Sequence, residues 1–126
     1  MRYLTFPVMG ILAYAIEEMF EQSNQNSVSI MEFGCGTGRY TSQLSGIFPS
    51  SIVTGYDIDK KRIDEARRLY NAENLNYTSQ KPEQRFDSVV SSAVIHEDPE
   101  ALIPEMVSFV KPGGLAGIVD YDMKGV

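Results

Sequence analysis

The chain has 126 residues, a formal net charge of −6, one cysteine and one histidine. That length accommodates one domain with its own apolar core and leaves no room for a second. An acidic chain without a concentrated basic face is a poor grip for a phosphate backbone, a lone cysteine excludes an internal disulfide, and with one histidine there is no Cys/His zinc set.

In chain order, the apolar spacing predicts a helix from about Pro7 to Gln22, with Pro7 suited to its first turn. Arg2 and the run from Phe6 to Ala15 loosely imitate a secretion signal. A single basic residue is a weak start for one, and Ile16, Met19 and Phe20 continue the helical pattern, so the segment reads as a cap over residues 1–22. No stretch approaches the roughly 20 apolar residues of a membrane span. The expected setting is the reducing cytoplasm, with neither nucleic acid nor membrane as a partner.

Val28 to Phe33 is expected as a first buried strand, followed by the glycine turn Gly34-Cys35-Gly36-Thr37-Gly38. Tyr40, Leu44 and Phe48 then form a helical stripe that ends at Pro49. Ile52 to Tyr56 is the second strand. Asp59 is placed to cap a helix over about Lys60 to Asn71, with Ile63, Ala66, Leu69 and Tyr70 facing inward and its many Lys and Arg side chains solvated among Asp64 and Glu65. Leu75 to Thr78, Asp87 to Val94 and Leu115 to Tyr121 supply strands three to five. A helix over Pro99 to Val110 and a tight turn at Lys111-Pro112-Gly113-Gly114 separate the last two.

Strands alternating with helices predict an α/β fold, an open and mostly parallel Rossmann-like sheet with helices on both faces. A single domain spans 1–126, with its ligand-binding core over 28–121. In such sheets ligands sit at the carboxyl ends of the strands, which is where the glycine turn falls. The dinucleotide fingerprint G-x-G-x-x-G fails, because Arg39 stands where a small residue is needed, and the Gly-Lys-Ser/Thr of a P-loop is absent.

Four segments in order carry a family resemblance: Ile30-Met31-Glu32-Phe33-Gly34-Cys35-Gly36-Thr37-Gly38, Val53 to Asp59, Arg85 to His96, and Val110-Lys111-Pro112-Gly113-Gly114. Together they resemble the class I S-adenosylmethionine-dependent methyltransferases, in their small-molecule branch. The resemblance implies strand order 3-2-1-4-5, S-adenosylmethionine as cofactor with S-adenosylhomocysteine as product, and methyl transfer to a small-molecule acceptor. It implies cofactor contacts from Glu32, Gly34, Cys35, Gly36, Gly38, Asp57, Ile58 and Ser91. Asp57 would take the ribose hydroxyls, Ile58 an adenine face, and the Ser91 carbonyl the methionyl amino group. Glu32 either meets that group or holds loop amides. Cys35 fills space rather than acting as a nucleophile, and no metal is implied.

His96 matches a histidine often found after the fourth strand; it is either a base for the acceptor or a packing residue. Two features depart from the family pattern. The link from Ser79 to Arg85 is short and lacks the carboxylate that usually meets adenine, and the two strands that usually follow the fifth are missing. The chain therefore reads as truncated, with an exposed edge at Leu115 to Val119 that a second copy or a partner subunit would cover. A non-catalytic methyltransferase-like module, associating through that edge, is the alternative reading.

Overall fold

The structure, a computed structural model, describes residues 2–6, 9–22, 27–92 and 95–119. These residues form one six-stranded sheet in the order β1-β6-β5-β2-β3-β4, and every neighbouring pair is parallel. In chain order the elements are β1 (Arg2–Phe6), α1 (Met9–Gln22), β2 (Ile30–Phe33), α2 (Arg39–Ile47), β3 (Val53–Tyr56) and α3 (Lys60–Leu69). They continue with β4 (Leu75–Thr78), β5 (Phe86–Ser92), a 3-10 turn (Ile95–Glu97), α4 (Pro99–Ser108) and β6 (Val110–Val119). Strands β2 to β6 are the five expected ones, in the expected order.

Alternation along each strand divides the core. Ile30, Val53, Val90, Leu115 and Val119 face one side, where Ala13 and Ile16 of α1 and Leu44 of α2 cover them. Met31, Phe33, Tyr56, Val89, Ala116 and Ile118 face the other side, under Met106 of α4. Each fully buried Leu, Ile or Met side chain contributes about 1.5–3 kcal/mol. Under α3, Ile63 and Ala66 pack on Tyr77 and Cys35. Leu69 turns outward instead, at 47 % exposure, because the helix ends there and its buried stripe is carried by Ile63 and Ala66.

Asp59 caps α3 as expected, accepting from the Lys61 and Arg62 amides, and Asp98 caps α4 through the Ala101 amide. The basic face of α3 is solvated and carries ion pairs within its own helix, as in Lys60–Asp64 at 3.1 Å and Arg68–Glu65 at 2.6 Å, while Arg67 also donates to the Tyr77 carbonyl at 2.8 Å. At the base of the sheet, Asp87 Oδ2 accepts from the Ser29 amide and hydroxyl, while Ser29 Oγ accepts from the Asp87 amide. That reciprocal pair fixes where β2 and β5 start. Asn74 Nδ2 donates to the carbonyls of Ser45, Phe48 and Ser51, fastening the end of α2 to the segment before β4.

Two further expectations change. The turn at Lys111 to Gly114 is an irregularity inside β6: Val110 pairs with Phe86 and Leu115 with Ser88, so the intervening residues loop out, with Gly113 at φ 79°. The edge expected to be bare is also paired, because Arg2–Phe6, expected as part of a helical cap, is a strand in register with Leu115–Val119. A parallel partner satisfies the outward-facing backbone groups of β6, which removes the motive for a second copy or partner there. Expected strand residues 93–94 and 120–121 lie outside the described residues. No described helix is long and apolar enough to cross a membrane.

Candidate functional site

Strand order reverses between β2 and β5, so the crevice at their carboxyl ends is the natural ligand position. The glycine turn closes over this point. Gly34 and Cys35 both donate their amides to the Tyr56 carbonyl, at 2.8 and 2.9 Å, tying the turn to the end of β3. Gly34, Gly36 and Gly38 have φ of 73°, 56° and 87°, in the left-handed region that favours glycine. Two of them differ in why they are needed. A Cβ on Gly36 meets nothing within 4 Å, whereas one on Gly38 would lie 2.6 Å from the Tyr77 hydroxyl oxygen. Gly36 thus leaves open main chain, while Gly38 makes room for a ring.

Gly38 also precedes α2, where no side-chain cap occupies the helix N-terminus. Thr41, one turn in, donates its hydroxyl to Glu32 Oε1 at 2.5 Å. Glu32 is 1 % exposed. Burial pushes its carboxyl up to about 7; the Thr41 and Ser92 hydroxyls oppose that shift, and the Asp57 charge adds to it. The Cys35 thiol is raised far above its ordinary range by burial, then by Glu32 and Asp57, so it is no nucleophile at neutral pH.

Asp57 follows β3 and has both oxygens engaged by the main chain: Oδ2 accepts from the Gly36 amide at 2.8 Å and Oδ1 from the Asp59 amide at 2.9 Å. Each oxygen keeps capacity for another donor. Next to it, Ile58 is 83 % exposed, an unusual state for a large aliphatic side chain. Both line a cleft of about 410 Å³ with Phe33, Gly34, Tyr56, Asp59 and Arg62, and the far wall comes from Glu97, Leu102 and Glu105. The volume is that of a small-molecule site.

Of the residues singled out by sequence, Gly34, Asp57 and Ile58 line this cleft, and Gly36 is joined to Asp57. Glu32 lies beneath the turn, Cys35 is buried within it, and Gly38 is closed off by Tyr77. Ser91 is fully buried, its hydroxyl without a partner, on the part of β5 that runs beyond the last β2 pairing, Glu32 with Val90. His96 lies in the 3-10 turn after β5, and its side chain lies outside the described residues. Sequence reasoning missed Thr41, Tyr77, Leu102 and Glu105. Thr41 sits at helical spacing from the turn, a usable signal; the others reach the site from distant segments.

A family model described as a methyltransferase domain matches residues 30–114. Among curated relatives, malonyl-[acyl-carrier protein] O-methyltransferase 2 of Ilyobacter polytropus is 29 % identical over 77 % of this chain and 40 % of its own length. Trans-aconitate 2-methyltransferase of Escherichia coli is 30 % identical over 82 % of this chain and 43 % of its own length. The chain thus spans less than half the length of these relatives. Among solved structures, the plantazolicin methyltransferase BpumL, in complex with a pentazolic desmethylPZN analog and SAH, superposes with a TM-score of 0.71 at 20 % identity, covering 90 % of this chain and 47 % of that one. Magnesium protoporphyrin IX methyltransferase of Synechocystis PCC 6803, with bound SAM, gives 0.60 at 19 % identity, covering 81 % and 54 %. At those identities the likeness is one of fold. The family match covers more than half of the chain, which therefore belongs to the methyltransferase-domain family of class I S-adenosylmethionine-dependent enzymes.

Proposed function

We propose that this chain binds S-adenosylmethionine in the cleft beside the glycine turn and methylates a small-molecule acceptor in the cytoplasm. The observation that carries the reading is Asp57: a carboxylate at the cleft, oriented by the Gly36 and Asp59 amides, with exposed Ile58 beside it. Such a group accepts from vicinal ribose hydroxyls, and Ile58 offers an apolar face to adenine. The open main chain at Gly36 suits close approach of the methionyl part, with the Ser91 carbonyl as an acceptor for its ammonium. S-adenosylmethionine, when bound, supplies an electrophilic methyl group on a sulfonium.

What the chain supplies is position and exclusion of water, the main requirements for such a transfer. Glu32 supports the turn from below, and Cys35 and Gly38 are buried parts of the turn itself, shaping it rather than reacting. His96, in the turn that leads to the far wall, is the proposed base for the acceptor. A small acceptor suits a cleft of about 410 Å³ whose lining has four carboxylates, Asp57, Asp59, Glu97 and Glu105, against the single guanidinium of Arg62. A polyphosphate chain is repelled by that lining.

Calorimetric titration with S-adenosylhomocysteine tests the reading. The wild type should bind, and Asp57→Ala should weaken binding by about 1–3 kcal/mol, the scale for a lost charge-assisted acceptor. Absence of heat with millimolar ligand sinks the cofactor proposal, and unchanged affinity in the variant sinks the ribose assignment.

A further inference from the structure

The link between β4 and β5 lends no side chain to the cleft lining, so the part of the cleft beyond Ile58 is walled by α4. From that helix Leu102 and Glu105, one turn apart, face the cleft together. The link contributes indirectly: Lys81 Nζ lies 3.2 Å from Glu105 Oε1. Glu105 is the less exposed partner, at 30 % against 65 %. Tyr56, also in the lining, has its hydroxyl pKa raised first by burial and then by Glu105, with Lys81 opposing, so the pair's field reaches into the cleft.

A carboxylate can only accept and an ammonium can only donate. Within the cleft Glu105 presents the acceptor, while Lys81, outside the lining, holds it from behind. The edge of adenine offers the matching donor, its 6-amino group, next to the N1 acceptor. Hypoxanthine reverses both, with a 6-carbonyl acceptor next to an N1–H donor. Asp57, Ile58 and Glu105 line one cleft, so the proposed ribose and purine positions share it with this acceptor.

We propose that Glu105, held by Lys81, recognises the 6-amino group of the cofactor's purine, so that base recognition comes from α4 instead of the shortened link. This assignment rests on the cofactor reading above. It gives the chain selectivity for 6-aminopurine nucleosides, with Leu102 and Ile58 as the apolar surfaces around the ring.

The test compares S-adenosylhomocysteine with its 6-deaminated counterpart, S-inosylhomocysteine, by calorimetry on wild type, Glu105→Ala and Glu105→Gln. The wild type should prefer the adenosyl compound by roughly tenfold or more, since a site built around a polar partner rejects its reversed analogue. Glu105→Ala should bring the two affinities to within about threefold, chiefly by weakening adenosyl binding. Glu105→Gln, whose amide can also donate to a 6-carbonyl, should narrow or invert the preference. If the wild type binds S-adenosylhomocysteine and Glu105→Ala keeps the full preference, the assignment to Glu105 is overturned. If the wild type binds neither compound, it is the cofactor reading itself that falls.

Discussion

Glu32 is a carboxyl group in a place that does not tolerate its charge. Its ordinary value of 4.5 is pushed up to about 7 by burial. Between those values the folded protein holds a proton that the unfolded chain has lost, so stability falls as pH rises through the window and levels off above it. The loss is about 1.4 kcal/mol per pH unit within the window. Urea melts from about pH 5 to about pH 8 on wild type and Glu32→Gln check this, because the variant has nothing to titrate and should gain on the wild type as pH rises. A constant difference between the two proteins contradicts it. The position of Glu32 before the glycines was legible in the sequence. Its depth was not, since the hydroxyls beside it come from Thr41 on α2 and Ser92 on β5.

At the scale of elements, the glycine turn combines two requirements that look identical in sequence. Gly36→Ala places a methyl group in open space and suffers the left-handed backbone alone, about 1–2 kcal/mol. Gly38→Ala adds a collision with the Tyr77 ring, whose overpacking raises the cost to about 2–4 kcal/mol. Denaturant unfolding of the two variants should therefore separate them, with Gly38→Ala the weaker protein; equal losses would show that Tyr77 yields without cost. The G-x-G-x-G spacing announced a strand-turn-helix and a ligand loop because left-handed glycines are a local property. Tyr77 belongs to β4, and only the folded sheet brings its ring under Gly38 and its hydroxyl to within 3.4 Å of the Gly38 carbonyl.

For the whole molecule, strands β2 to β6 were legible because each strand-helix unit has its own periodicity, and right-handed crossovers leave few ways to arrange them. β1 was not, because its five residues run into the apolar pattern of α1 and its partner is distant: Arg2 pairs with Leu115. Removing residues 1–6 should cost a few kcal/mol, from several ladder hydrogen bonds at about 0.5–1.5 each, and should make the protein self-associate through β6. Sedimentation and urea melts of the shortened chain measure both effects; a monomer of unchanged stability would show that β1 does not support the sheet. The same pairing imposes an order of events. A ribosome makes Arg2–Phe6 well before the strand they join, so this edge closes only across the span from Arg2 to Leu115 and at the entropic cost of that span. Arg2–Phe6 are thus the latecomers of folding, waiting at the edge of a sheet built in the meantime from strands β2 to β6.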